Sequence, residues 1–218
     1  LAFRVMQETG GTALVPISEN GKNMLLYKIV HRLHDDLQLY QGSESQPGFI
    51  ERLGDLMTEW KRYGIEPEDI ETFLSEGGYG SSNQLLSRKL HDLRLIGGQL
   101  VKELTGLYID AEDYLSWLIR GFHEAPSMRQ THIWVDGFHG FTPKEFEALE
   151  ALMRQAEEIT VTLTLDRVYG AGEQPHELDM FRSTAETFLK LRELALANNV
   201  PVAEPVVLNG GTPWRYRG

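Results

Sequence analysis

The sequence predicts an α/β protein, a mostly parallel sheet carrying an all-helical insertion. Three observations carry this prediction. The stretch from Thr131 to Asp166, THIWVDGFHGFTPKEFEALEALMRQAEEITVTLTLD, parses into strand, turn, helix and strand. Residues 22–122 show helical patterns throughout and no strand signal. The opening LAFRVMQETGG reads as the end of a helix, with Leu1, Phe3, Val5 and Met6 leading into Gly10–Gly11. The α/β character therefore flanks the helical block on both sides, which is the order an insertion leaves.

Taken in order, the helical signals are these. After a linker with Pro16 and Ser18, a helix is predicted from about Lys22 to Tyr40, with Leu26, Ile29, Val30, Leu33 and Leu37 on one face. A loop spans Gly42–Gly48, and beyond Pro47 a second helix places Phe49, Ile50, Leu53, Leu56, Met57 and Trp60 at spacings of three and four. Gly64 is its C-cap, because glycine reaches the left-handed conformation without a Cβ clash. Pro67 opens a short helix with Ile70, Phe73 and Leu74. From Asn83 to Leu107 a long helix carries Leu86, Leu90, Leu93, Leu100 and Leu104. Gly97–Gly98 interrupt it at a cost of about 1 kcal/mol each relative to alanine, so a kink or a close helix crossing is expected there. Asp110 caps one more helix, with Asp113 at its third position.

The second α/β part begins after Pro126. Ile133, Trp134 and Val135 form an apolar run of the kind a buried parallel strand uses, and Asp136–Gly137 end it. Thr142, Pro143 and Glu145 supply an N-cap, a proline at the first helical position and an acid at the third. The run from Ile159 to Leu165, rich in Val, Thr and Leu, is the next strand, and a helix between two such strands implies a right-handed crossover. A loop at Arg167–Pro175, a helix from about Glu177 to Asn198, and a strand at Val202–Leu208 broken by Pro205 complete the pattern.

Composition narrows the function. The chain has 218 residues, 41% of them hydrophobic and 24% charged, as in an ordinary folded protein. It contains no cysteine, which removes disulfides, thiolate metal sites and cysteine nucleophiles from this stretch. The formal net charge is −11, and both halves carry an acidic excess, which counts against autonomous binding of a phosphate backbone. No apolar run approaches membrane-spanning length, and a start on Leu rather than Met reads as an excised piece of a longer chain.

Asp136 is the leading candidate for chemistry, because ligands of α/β folds gather beyond the carboxyl ends of parallel strands. A nucleotide hydrolase holds its metal with an acid there and needs a second carboxylate to orient water, whereas Gly137 and Phe138 follow here. No G-x-x-x-x-G-K-[ST] loop occurs. The competing reading is a strand-end acid that caps a turn. Phe138, His139 and Phe141 occupy the same strand-to-helix turn and are candidates to face a ligand or nucleic acid. At the end of the chain, Trp214, Arg215, Tyr216 and Arg217 are of the types that stack on and neutralise a single strand, against the plainer reading of a frayed end. Gly77–Gly80 has no preceding strand to make it a phosphate cradle. His31 and His34 sit three apart without a third ligand at a metal-binding spacing and read as a polar flank.

The segment WVDGFHGFTPKEFEALEALMRQAEEITVTLTLD resembles the N-terminal, helicase-like region of the B-subunit family of the bacterial AddAB ATP-dependent helicase/deoxyribonucleases. So do QPGFIERLGDLMTEWKRYGIEPEDI, LLSRKLHDLRLI, YIDAEDYLSWL and DMFRSTAETFLKLRELA, so the resemblance covers nearly the whole chain. It implies a partial RecA-like domain of the P-loop NTPase, superfamily 1 helicase-like type, carrying a helical 1B-type insertion. Residues 1–21 would be the tail of the first RecA-like segment, 22–125 the insertion and 126–218 the returning α/β part. It implies a heterodimer with an AddA-type motor subunit, cytoplasmic and without a membrane anchor, that processes double-strand DNA breaks for homologous recombination and recognises the Chi hotspot. Mg2+, ATP and an iron–sulfur cluster are implied for that complex and no cofactor for this stretch, whose lack of cysteine rules out the cluster. Carried over by position, Asp136 falls where the second helicase motif has its metal-linked aspartate and Gly137 where an active helicase has its catalytic glutamate. The expectation is scaffold and DNA-channel function with no complete active site. A subunit-interaction module without DNA contact, and a nucleotide hydrolase using Asp136, stand as alternatives.

Overall fold

The computed structural model describes residues 1–10, 13–76, 84–170 and 172–208. Helices dominate these residues, and two small parallel sheets of two strands each are set among them. In chain order the elements are α1 (Ala2–Glu8), β1 (Val15–Pro16), α2 (Glu19–Arg32), α3 (Phe49–Tyr63), α4 (Pro67–Ser75) and α5 (Gln84–Leu104). Then come β2 (Tyr108–Ile109), α6 (Asp113–Gly121), β3 (His132–Val135), α7 (Pro143–Met153), β4 (Glu158–Val161) and α8 (Arg182–Ala197). No helix among the described residues is long and apolar enough to cross a membrane.

The helix ends follow their local chemistry. Ser18 accepts the Gly21 N–H at 3.2 Å to start α2, and Gly64 stops α3 at φ +68°. At α7 the exchange is reciprocal: Thr142 Oγ1 accepts from Glu145 N at 3.3 Å, and Glu145 Oε2 accepts from Thr142 N at 2.7 Å. Asp110 and Asp113 make a similar exchange before α6, and Lys61 Nζ from α3 bonds both carboxylates, at 2.8 and 2.9 Å.

Two cores result. One joins Leu26, Ile29 and Val30 of α2 to Leu53, Met57 and Trp60 of α3 and to Leu93, Ile96 and Leu100 of α5. Burying each such side chain contributes about 1.5–3 kcal/mol relative to leaving it in water. The other gathers Val5 of α1, Leu118 of α6, Phe146, Leu149 and Leu152 of α7 and Leu191 of α8 against one face of the β3–β4 sheet. The strands there are parallel, with His132 opposite Glu158 and Val135 opposite Val161. Ile133, Val135, Ile159 and Val161 form the face that packs on this core.

Several expectations require correction. The first long helix stops at Arg32, well short of Tyr40, because the buried Asp92 carboxylate draws the backbone N–H groups of Gln38, Leu39 and Tyr40 into a turn at 2.7–3.1 Å. Leu33 and Leu37 still reach the core from that turn. The helical stretch is not free of strands, since β2 pairs in parallel with β1, Val15 opposite Tyr108. α5 runs unbroken through Gly97–Gly98, and a Cβ at Gly97 would lie 3.2 Å from Trp60 Cζ3, so the glycine makes room for the Trp60 side chain of α3. The last helix begins at Arg182, and Leu178 and Met180 before it are exposed. β4 ends at Val161 because its partner turns away at Gly137, where φ is +82°. Residues 201–208 form no strand: Pro201 and Pro205 lack the N–H a ladder needs, and no neighbouring strand is present among the described residues. Finally, β3 is not buried on both faces, for Trp134 is 69% exposed.

Candidate functional site

The site is the carboxyl-end rim of the β3–β4 sheet, where both strands release their chains on the same side. Alternation along β3 puts Ile133 and Val135 inward and Trp134 and Asp136 outward. Asp136 accepts a hydrogen bond from the Thr162 hydroxyl just beyond β4, and Thr162 N donates to Val135 O at 3.0 Å. The carboxylate is thus held by the neighbouring strand, while Gly137 turns the chain toward α7.

The turn that follows is fixed from three directions. Phe138 stacks on Phe141 with ring centroids 5.1 Å apart, and Phe141 meets Phe146 of α7 edge-on at 5.5 Å. Lys190 of α8 lies over the Phe146 ring at 4.0 Å. Thr187 Oγ1, buried on α8, shares its proton between Ser183 O at 2.9 Å and His139 O at 3.4 Å. Gly140 lies beside α8, where a Cβ would make ordinary contact with Thr187 Oγ1 at 3.5 Å and Ser183 Oγ at 3.7 Å. Phe138 nevertheless remains 44% exposed, an aromatic face presented to solvent on a rigid support.

The loop after β4 completes the rim. Tyr169 is fully buried, its hydroxyl 3.4 Å from Asp166 Oδ1, its carbonyl accepting from Arg192 Nη1 at 3.1 Å. Burial first, then the Asp166 carboxylate, pushes its phenol up. Arg167 covers the Tyr169 ring at 4.2 Å and bonds both oxygens of Glu173, at 3.2 and 3.0 Å. The Gly170 N–H and then Arg167 hold the Glu173 carboxyl below the usual carboxylate range. The guanidinium of Arg167 is therefore already neutralised, and what the rim offers is aromatic surface with acids beside it.

Gly137 occupies the position after Asp136, and no group of three His, Asp or Glu side chains able to hold a metal occurs among the described residues. Asp136, Phe138, His139 and Phe141 are brought together at the rim; Trp214, Arg215 and Arg217 lie outside the described residues. His31 and His34 flank Glu44, 3.6 and 4.0 Å from its Oε1.

A protein-family model described as "ADDB, N-terminal" matches residues 1–216. The chain belongs to that ADDB N-terminal family. Its relatives are B-subunits of ATP-dependent helicase/deoxyribonucleases. That of Moorella thermoacetica is 42% identical over 218 residues, all of this chain and 19% of the relative. That of Geobacillus kaustophilus is 38% identical over 212 residues, 96% of this chain and 18% of the relative. That of Bacillus subtilis strain 168 is 39% identical over 205 residues, 93% of this chain and 17% of the relative. The chain spans less than a fifth of the length of these ADDB-family relatives.

Sequence reasoning missed Thr162, Asp166, Tyr169 and Thr187. Thr162 and Asp166 had a usable signal, since TLTLD repeats the strand-end acid of WVD and parallel strands bring such ends together. Nothing local marks Thr187, which shares the buried face of α8 with a second threonine, Thr184.

Proposed function

We propose that this chain serves a helicase/nuclease subunit that processes double-strand DNA breaks for homologous recombination, supplying scaffold and part of a single-strand DNA channel without hydrolysing ATP. Family membership supports the process and the AddA-type partner subunit, and a cytoplasmic site of action goes with that process. The observation that carries the local role is the rim itself: an outward ring, Phe138, backed by the core-packed ring of Phe141, beside an acid followed by glycine. Rings so placed favour base stacking, which is worth about 1–3 kcal/mol per base and tolerates any sequence. In the same reading, residues 1–21 and 126–218 are the RecA-like part, residues 22–125 the 1B-type insertion, and Asp136–Gly137 a degenerate second helicase motif. Recognition of Chi would draw on this channel. Trp214, Arg215 and Arg217 remain candidates for the same strand, as aromatic and cationic side chains do.

The test is photo-crosslinking of single-stranded DNA in the assembled heterodimer. Crosslinks at Phe138 and His139 that fall severalfold in Phe138→Ala and Phe141→Ala are expected. Protection of residues 22–122 on subunit assembly with no crosslink at the rim would favour a pure interaction module instead.

A further inference from the structure

The cations around the rim are nearly all committed. Arg167 bonds both oxygens of Glu173, and Arg182 Nε bonds Glu186 Oε1 at 2.7 Å. Lys144 Nζ pairs with Glu147 at 2.7 Å, and Arg192 Nη1 donates to the Tyr169 carbonyl at 3.1 Å. Lys190 differs. It is exposed on α8, its ammonium lies 4.0 Å from the centre of the Phe146 ring, and no carboxylate among the described residues pairs with it. A neutral side chain of the same length would cover Phe146 equally, so packing alone does not call for a charge here.

Its place in the fold ties it to the exposed ring. Ser183, Thr187 and Lys190 follow one another at helical spacing along one face of α8, over a length of about 10 Å. That face runs beside the strand-to-helix turn, for Thr187 Oγ1 reaches His139 O at 3.4 Å, and Thr187 and Ser183 border Gly140. Phe146 under the ammonium meets Phe141 at 5.5 Å, and Phe141 stacks on Phe138 at 5.1 Å. One row of three rings therefore supports both the exposed aromatic face and the unpaired cation. A base laid on Phe138 brings its phosphate with it, and Asp136 nearby repels that charge. We propose that Lys190 is the phosphate contact of this site, pairing with the backbone of a single strand whose base lies on Phe138. The proposal rests on the stacking role of Phe138 given above, and adds an orientation: base toward the turn, phosphate toward α8. An ammonium is a point charge that positions a strand without reading its bases, so Lys190 holds any sequence alike.

Equilibrium binding of single-stranded oligonucleotides to the assembled heterodimer, without ATP and over a range of salt, tests it. Lys190→Met keeps the stem over Phe146 and removes the charge; Lys190→Arg keeps the charge. Lys190→Met is expected to weaken binding severalfold at low salt, by the same factor for different sequences. It is also expected to make the slope of log affinity against log salt shallower by about 0.7–1. Lys190→Arg stays near wild type, and the photo-crosslink from the strand to Phe138 stays on the same nucleotide. A methylphosphonate at one of the two phosphates flanking that nucleotide weakens wild-type binding by a similar factor and adds nothing in Lys190→Met. An unchanged salt slope in Lys190→Met with the Phe138 crosslink intact overturns the assignment of Lys190 and leaves the stacking role standing. A wild-type heterodimer that never crosslinks at Phe138 overturns the stacking role, and the assignment falls with it. Methylphosphonates without effect on wild type contradict the assignment even where Lys190→Met fails to fold.

Discussion

At the scale of single residues, Asp92 organises one end of the helical core. Its side chain is fully buried on α5, and its oxygens accept the backbone N–H groups of Gln38, Leu39 and Tyr40, with His91 Nδ1 at 3.2 Å. Burial raises the carboxyl pKa, but the three backbone N–H donors outweigh it and leave the group below its ordinary value. A depressed folded pKa gives stability that is fully present above the unfolded value and is lost as pH falls through the folded one. Replacement by alanine leaves three partly buried N–H groups without their acceptor and is expected to cost about 2–4 kcal/mol. Urea unfolding of Asp92→Ala and wild type between neutral and acid pH checks both points: the gap is widest near neutrality and narrows as wild type titrates. A constant gap would show that the carboxylate charge is not what holds the turn.

At the scale of elements, the packing of α3 side chains on α5 separates two adjacent glycines. A Cβ at Gly97 would meet Trp60 Cζ3 at 3.2 Å and Met57 Sδ at 3.5 Å, whereas at Gly98 the nearest atom is Pro67 Cβ at 4.0 Å. Alanine gains about 1 kcal/mol of helix propensity at either position, but overpacking a crossing costs about 1–3 kcal/mol. Gly98→Ala is therefore expected to raise the unfolding midpoint and Gly97→Ala to leave it unchanged or lower it, as calorimetry will read. The sequence announced an event at this pair but not its kind, since a kink, a crossing and a pocket for a large side chain all call for glycine. The same limit explains α2, whose apolar spacing ran on through Leu33 and Leu37 although Asp92, 54 residues from Gln38 in the chain, had already turned the backbone. Caps were legible because their chemistry is local, as at Thr142 with Glu145 and at Gly64. Trp134 was misjudged because an apolar run reads alike whether one face of a strand is covered or two.

At the scale of the whole molecule, two cores meet along α3, α6 and α7, and the sheet faces one of them with its apolar side only. The order helix end, helical block, strand–helix–strand was visible in the sequence, and so was the family. The rim was half visible: Asp136 and its aromatic neighbours declared themselves at a strand end, while Thr162 and the Tyr169 loop needed the register of β4 against β3. The central claim is that the acid ending β3 stands at a site that does not split ATP. Asn at this position keeps an oxygen for the Thr162 hydroxyl, so Asp136→Asn removes the charge without removing the strand contact. ATP hydrolysis by the assembled heterodimer carrying Asp136→Asn, measured with saturating DNA ends, is the most direct test. The account predicts wild-type turnover; turnover that collapses while the variant subunit stays folded and paired would contradict it.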